Sequence, residues 1–74
     1  MKVTAHVYLK NINGKPYDIK YDNVTSIKAG TAGQFYSKSD CYGNGIRPSA
    51  PVIVLCFDNG EEATFDADNA TILF

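Results

Sequence analysis

The chain has one histidine, two cysteines and three prolines in 74 residues, and no excess of basic charge. Each scarcity excludes something. His6 with the distant Cys41 and Cys56 makes no zinc pattern. Two cysteines make no disulfide framework. Cys56, inside an apolar run, reads as a buried small hydrophobe, and Cys41, in a polar loop, as an exposed thiol. Asp66, Asp68 and Asn69 resemble the start of a calcium loop, but its glycine and closing glutamate are missing. There is no Walker, Rossmann or nucleophile-elbow motif. Glu61 and Glu62 are adjacent, so on a strand they point to opposite faces and cannot share one substrate. The expectation is a protein that is not an enzyme, with no catalytic residue, metal or cofactor.

No apolar run is long enough to span a bilayer. The first residues alternate in polarity instead of forming an apolar leader. The expected setting is the cytoplasm, without a membrane partner. A net charge of −1 gives no general attraction to nucleic acid. Tyr8, Tyr17 and Tyr21 with Lys10 and Lys20 could form a stacking platform for a single strand, but the acidic second half opposes it.

What is present is period-2 patterning. Val3, Ala5, Val7 and Leu9 alternate with Lys2, Thr4, His6 and Tyr8, as in a half-buried strand. Asn13-Gly14 signals a hairpin. A two-residue loop would set Val7 and Leu9 against Lys20 and Asp18. One extra loop residue pairs Leu9 with Ile19 and Val7 with Tyr21, which keeps the apolar face whole. A longer or bulged turn holding Pro16 is therefore expected. Strands follow over 17–21 and, after a bend at Asp22-Asn23, over 24–28. Val52 to Phe57 is apolar on both faces and predicts a central, doubly covered strand. Asn59-Gly60 predicts a two-residue hairpin that sets Cys56 against Ala63 and Val54 against Phe65. A bend at 66–69, with at most one helical turn, precedes a last strand over 70–74.

The two ends also resemble each other at a fixed offset of 46: Asn13-Gly14 with Asn59-Gly60, Asp22-Asn23 with Asp68-Asn69, Thr25 with Thr71, Ile19 with Phe65. Convergent turn chemistry explains this as readily as duplication. The expected architecture is all-β: a six-stranded barrel or rolled antiparallel sheet in one domain over 1–74, possibly two three-stranded repeats over about 2–28 and 52–74.

Charge divides along the chain. Residues 1–47 hold seven basic groups against three acidic ones, +4, and residues 48–74 hold five acidic groups and no basic one, −5. The halves either neutralise each other internally or meet between copies. A thin core, strand edges in need of cover and this split suggest a homo-oligomer.

Residues 29–51 are too long for an ordinary connection and read as a loop insertion, with a short strand possible around 34–38. Their glycine, serine and tyrosine content suits recognition. Phe35, Tyr36, Lys38, Tyr42, Asn44 and Arg47 are the candidate ligand-binding residues: rings for stacking, Lys38 and Arg47 for an anion.

The stretch from Phe57-Asp-Asn-Gly60 through Phe65-Asp-Ala-Asp-Asn69 to Ile72-Leu-Phe74, with Tyr21-Asp-Asn-Val-Thr25, resembles short β-rich proteins of phages and mobile elements of Gram-positive bacteria. Some of these block host immunity, by capping a protein effector or sequestering a nucleotide signal. The resemblance implies a non-catalytic, possibly counter-defence protein that captures a small anionic, nucleotide-like ligand through residues 31–47. The alternatives are an inhibitor that binds a host effector protein through the same loop or the acidic Glu61–Asp68 edge, a structural or assembly protein, and a weak single-strand nucleic-acid binder.

Overall fold

The computed structural model describes residues 2–12 and 15–74, so the Asn13-Gly14 turn lies outside the described residues. Five strands form one antiparallel sheet: β1 (Val3–Ile12), β2 (Lys15–Thr31), β3 (Pro51–Phe57), β4 (Glu62–Asp66) and β5 (Ala70–Leu73). Their spatial order is β4-β3-β2-β1-β5, with β4 and β5 as the two edges. The protein is all-β and antiparallel, but of the two expected forms, barrel or rolled sheet, the closed barrel is not formed. The sheet is open, and the separate strands foreseen over 17–21 and 24–28 are one strand, so the described residues form five strands and not six. Two short helices, α1 (Ala32–Phe35) and α2 (Lys38–Gly43), lie between β2 and β3.

Strand β2 is long because it bends without breaking. Its first half pairs with β1 and its second with β3, and the handover falls near Asn23, whose φ of 63° is in the left-handed region. Asparagine tolerates that region better than most residues. One register shift lies on each side, between Val3/Ala5 in the β1 ladder and Val24/Ser26 in the β3 ladder. Each extra residue resets the alternation. Tyr21, Val24 and Ile27 therefore all reach the same core, although a regular strand would send Val24 to the opposite face.

The first hairpin keeps its apolar face by a different route from the one expected. Ile12 pairs with Lys15 and Pro16 already belongs to β2, so the irregularity lies within β1, between Leu9 and Ile12. Leu9 then faces Tyr17, Val7 faces Ile19 and Ala5 faces Tyr21.

The second hairpin is one residue out of the expected register. Leu55 faces Ala63, Ile53 faces Phe65 and Val54 faces Thr64. The turn explains the slip. Phe57 N–H donates to the Glu61 carbonyl, Gly60 N–H donates to the Phe57 carbonyl, and Gly60 has φ +86°. This is a three-residue Asp58-Asn59-Gly60 loop, with the glycine taking the left-handed position after the turn. Adding 46 to both partners of Leu9–Tyr17 and Val7–Ile19 gives Leu55–Ala63 and Ile53–Phe65, so the two hairpins share one register. The bends correspond too: the Asn23 carbonyl accepts from Asp58 N–H and the Asn69 carbonyl from Lys10 N–H.

Two apolar clusters result. The inner face gathers Ala5, Val7, Val24, Leu55 and Ala70, with Tyr21, Phe57, Phe65 and Ile72 packed around them. The outer face of β3 holds Val52 and Val54 under Ala32 and Cys41, with Phe35, Tyr36, Ile46 and Cys56 alongside. Strand β3 is thus covered on both faces, and it lies between β2 and β4.

Candidate functional site

The segment after β2 is an ordered arm, not the plain loop or short strand expected around 34–38. It packs on the outer face of β3 and β4. Gln34 Oε1 accepts from Thr31 N–H at 2.8 Å at the start of α1, and Ser37 Oγ accepts from Asp40 N–H at 3.1 Å at the start of α2. Gly30 leaves room beneath α1, since a Cβ there would press on Gln34 Oε1 and the Phe35 ring and displace the Gln34 cap. The arm returns to the sheet through Ala32 N–H to the Ala50 carbonyl and Gly33 N–H to the Pro48 carbonyl, at 2.9 and 2.8 Å.

Cys41 anchors this arm. It is buried against Val52 and Val54, whereas Cys56 is half-buried with Sγ 3.7 Å from Glu62 Oε2. Both cysteine expectations are therefore corrected. The arm, not the polarity of its sequence neighbours, sets the environment of Cys41, and Cys56 lies toward the margin of the second cluster.

Between the arm and the β4 edge runs a groove made of three adjoining clefts. One of about 280 Å³ lies between Gly45–Arg47 and Thr64–Asp66. One of about 400 Å³ is bounded by Tyr36, Asp40, Asn44 and Thr64. A third, of about 310 Å³, joins Arg47 to Asp66 and Asp68. The Tyr36 hydroxyl and Thr64 Oγ1, 2.6 Å apart, fix the arm across the edge.

The structure brings three of the six expected residues to this groove: Tyr36, Asn44 and Arg47. Asn44 Nδ2 donates to the Asp40 carbonyl at 2.8 Å. Phe35 packs into the second cluster, with Lys28 Nζ 5.4 Å from its ring centroid. Lys38 and Tyr42 are exposed and line none of the three clefts. Asp40 of the arm lines the groove and was missed as a site residue, whereas Thr64, Asp66 and Asp68 belong to the acidic Glu61–Asp68 edge expected as a contact surface for a partner protein. Which residues of that edge face the arm depends on the β3–β4 register.

The edge itself is chemically open. Phe57 N–H donating to Glu61 and Ala67 N–H donating to Pro51 show that the odd-numbered residues of β4 bond to β3. The backbone groups of Glu62, Thr64 and Asp66 therefore face away from β3. The Asp66 carbonyl takes Asn69 N–H, whereas Thr64 has no backbone partner among the described residues.

Beside the groove, Lys28 Nζ donates to Glu62 Oε2 at 3.2 Å, and this bond raises the lysine above its ordinary pKa, with burial opposing in part. Among the described residues, no group of three or more His, Cys, Asp or Glu side chains is placed to hold a metal. Cys41 lies under the arm and His6 beside Asp18 on β1, so they form no pair. Among the described residues no helix is long and apolar enough to cross a membrane. No protein-family profile, curated protein or solved structure matches the chain.

Proposed function

We propose that the protein is a non-catalytic binding module that takes an extended polypeptide segment of a partner protein in the groove between the arm and β4. The observation that carries this reading is the unpaired Thr64 backbone facing a groove walled by Tyr36, Asn44 and Arg47. An incoming strand completes the β4 ladder through its main chain, while the groove selects its side chains. Arg47 suits an acidic side chain, and Asp66 and Asp68 suit a basic one. A cytoplasmic setting, and use as a cap on a host effector, belong to the same proposal.

Capture of a small anionic, nucleotide-like ligand is the second reading, favoured by Arg47 and its bidentate fork. It is weaker on two counts. Asp66 and Asp68 share the cleft with Arg47 and repel an anion. Among the described residues, Phe35, Tyr36 and Tyr42 form no paired-ring slot for a base.

The test compares the parent with Arg47→Glu and Asp66→Lys, both on exposed residues. Partner capture from cells is paired with native mass spectrometry of the purified protein. The polypeptide reading expects a captured protein that both folded variants lose, and no carried small molecule. A small anion that copurifies with the parent and is lost in Arg47→Glu overturns it in favour of the second reading.

A further inference from the structure

The opposite edge of the sheet, β5, carries a different chemistry. Lys10 N–H donates to the Asn69 carbonyl, which sets Asn69 toward β1. By alternation Thr71 and Leu73 also bond toward β1, opposite Tyr8 and His6. The backbone N–H and C=O groups of Ala70 and Ile72 therefore point away from β1, although Ala70 is buried and Ile72 half-buried. Among the described residues nothing pairs with them.

Edge strands are commonly protected by charge. β4 follows that rule with Glu62 and Asp66, but β5, reading Ala-Thr-Ile-Leu, has no charge at all. Half of the exposed large apolar side chains lie on or beside it: Leu73 is 53% exposed, Phe74 74% and the neighbouring Tyr8 36%, the others being Val3, Tyr17 and Tyr42.

We infer that β5 is the interface with a second copy of this chain, the two β5 strands pairing antiparallel about a two-fold axis at Ile72. Charge selects this occupant. Pairing β4 with β4 sets carboxylates of one copy beside those of the other. Pairing β4 with β5 is heterologous and gives a ring or an open filament, not a two-fold dimer. Pairing β5 with β5 brings no like charges together and closes as a dimer. With Ile72 opposite Ile72 of the other copy, Phe74 falls opposite Ala70, and Leu73 lies beside Thr71 on the outer face. The apolar side chains then cover one another while the outward backbone groups bond in pairs.

The charge division between the halves plays no part in this contact. Lys2 to Asp58 at 3.0 Å and Lys28 to Glu62 at 3.2 Å already join the basic half to the acidic half within one chain. The dimer is therefore indifferent to salt, unlike one held by opposite faces. No residue of β5 lines any of the three clefts, so failure of the dimer leaves the groove reading untouched.

The experiment is sedimentation at micromolar concentration, in low and high salt, of the parent, Leu73→Lys, Thr71→Lys and Glu61→Lys. Circular dichroism checks that each variant folds. The expected result is twice the 8.1 kDa chain mass for the parent and Glu61→Lys at both salt levels. Leu73→Lys and Thr71→Lys should both fall to the monomer mass. Thr71 carries the test if Leu73→Lys fails to fold, since its side chain is exposed. A monomeric parent overturns the inference, as does a dimer that dissolves in high salt or survives both lysine variants.

Discussion

Cys41 carries more of the arm's attachment than its sequence neighbours suggest. Its side chain sits between Ala32 and the outer face of β3. Replacing the thiol by a hydroxyl there leaves a polar group without a partner, at a cost of about 1–3 kcal/mol. Cys41→Ser should therefore lower the free energy of unfolding by that amount, read as a lower denaturant midpoint at unchanged m. A native-state thiol reagent should modify Cys56 faster than Cys41, and equal rates would contradict the burial. Leu55 is fully buried in the inner cluster, and Leu55→Ala should cost about 2–5 kcal/mol. Lys28 supplies the pH dependence. Its folded pKa lies above the ordinary lysine value because of Glu62, so its contribution is fully present at neutral pH. It is lost only as pH rises through that raised value, and Lys28→Met should flatten an alkaline unfolding curve while leaving neutral titration unchanged.

At the scale of the element, the arm decides what the site contains. The Tyr36 hydroxyl and Thr64 Oγ1 tie it to the edge strand at an exposed position. Removing one net hydrogen bond costs about 0.5–1.5 kcal/mol. Tyr36→Phe should speed amide exchange at Ile46, whose N–H donates to the Cys41 carbonyl, while exchange in β1 stays unchanged. Equal acceleration in both would mean that the arm and the sheet open as one unit. Legibility in the sequence divides along similar lines. The β1 face and the doubly apolar β3 could be read because periodicity carries over several residues. The arm's helices could not, because four and six residues are too few for a 3.6 period to register. The signals for them were the caps, Thr31 with Gln34 at α1 and Ser37 with Asp40 at α2. The β3–β4 register was lost at a single choice, between Asn59-Gly60 as a two-residue turn and Asp58-Asn59-Gly60 as a three-residue one. One residue of slip exchanges the faces of β4, setting Ala63 and Phe65 beside Leu55 and Ile53 instead of Cys56 and Val54. That slip also hid which residues of the Glu61–Asp68 edge turn toward the arm, whereas Tyr36, Asn44 and Arg47 were found by residue type alone.

For the whole molecule, the sheet bends at β2 and stays open, so its two edges have separate uses. The shared register of the two hairpins, together with the matching carbonyls of Asn23 and Asn69, is what duplication of a strand–turn–strand unit would leave. The extra arm on one half breaks that likeness and turns one edge into a groove. The most direct test of that groove is amide hydrogen exchange on the protein alone and bound to whichever polypeptide it captures. The account predicts new protection at Thr64 and Asp66, whose N–H groups face the open edge, and at Ile46 and Arg47 across the cleft. Protection confined to the exposed Lys38 and Tyr42 side of the arm, with Thr64 unchanged, would contradict it.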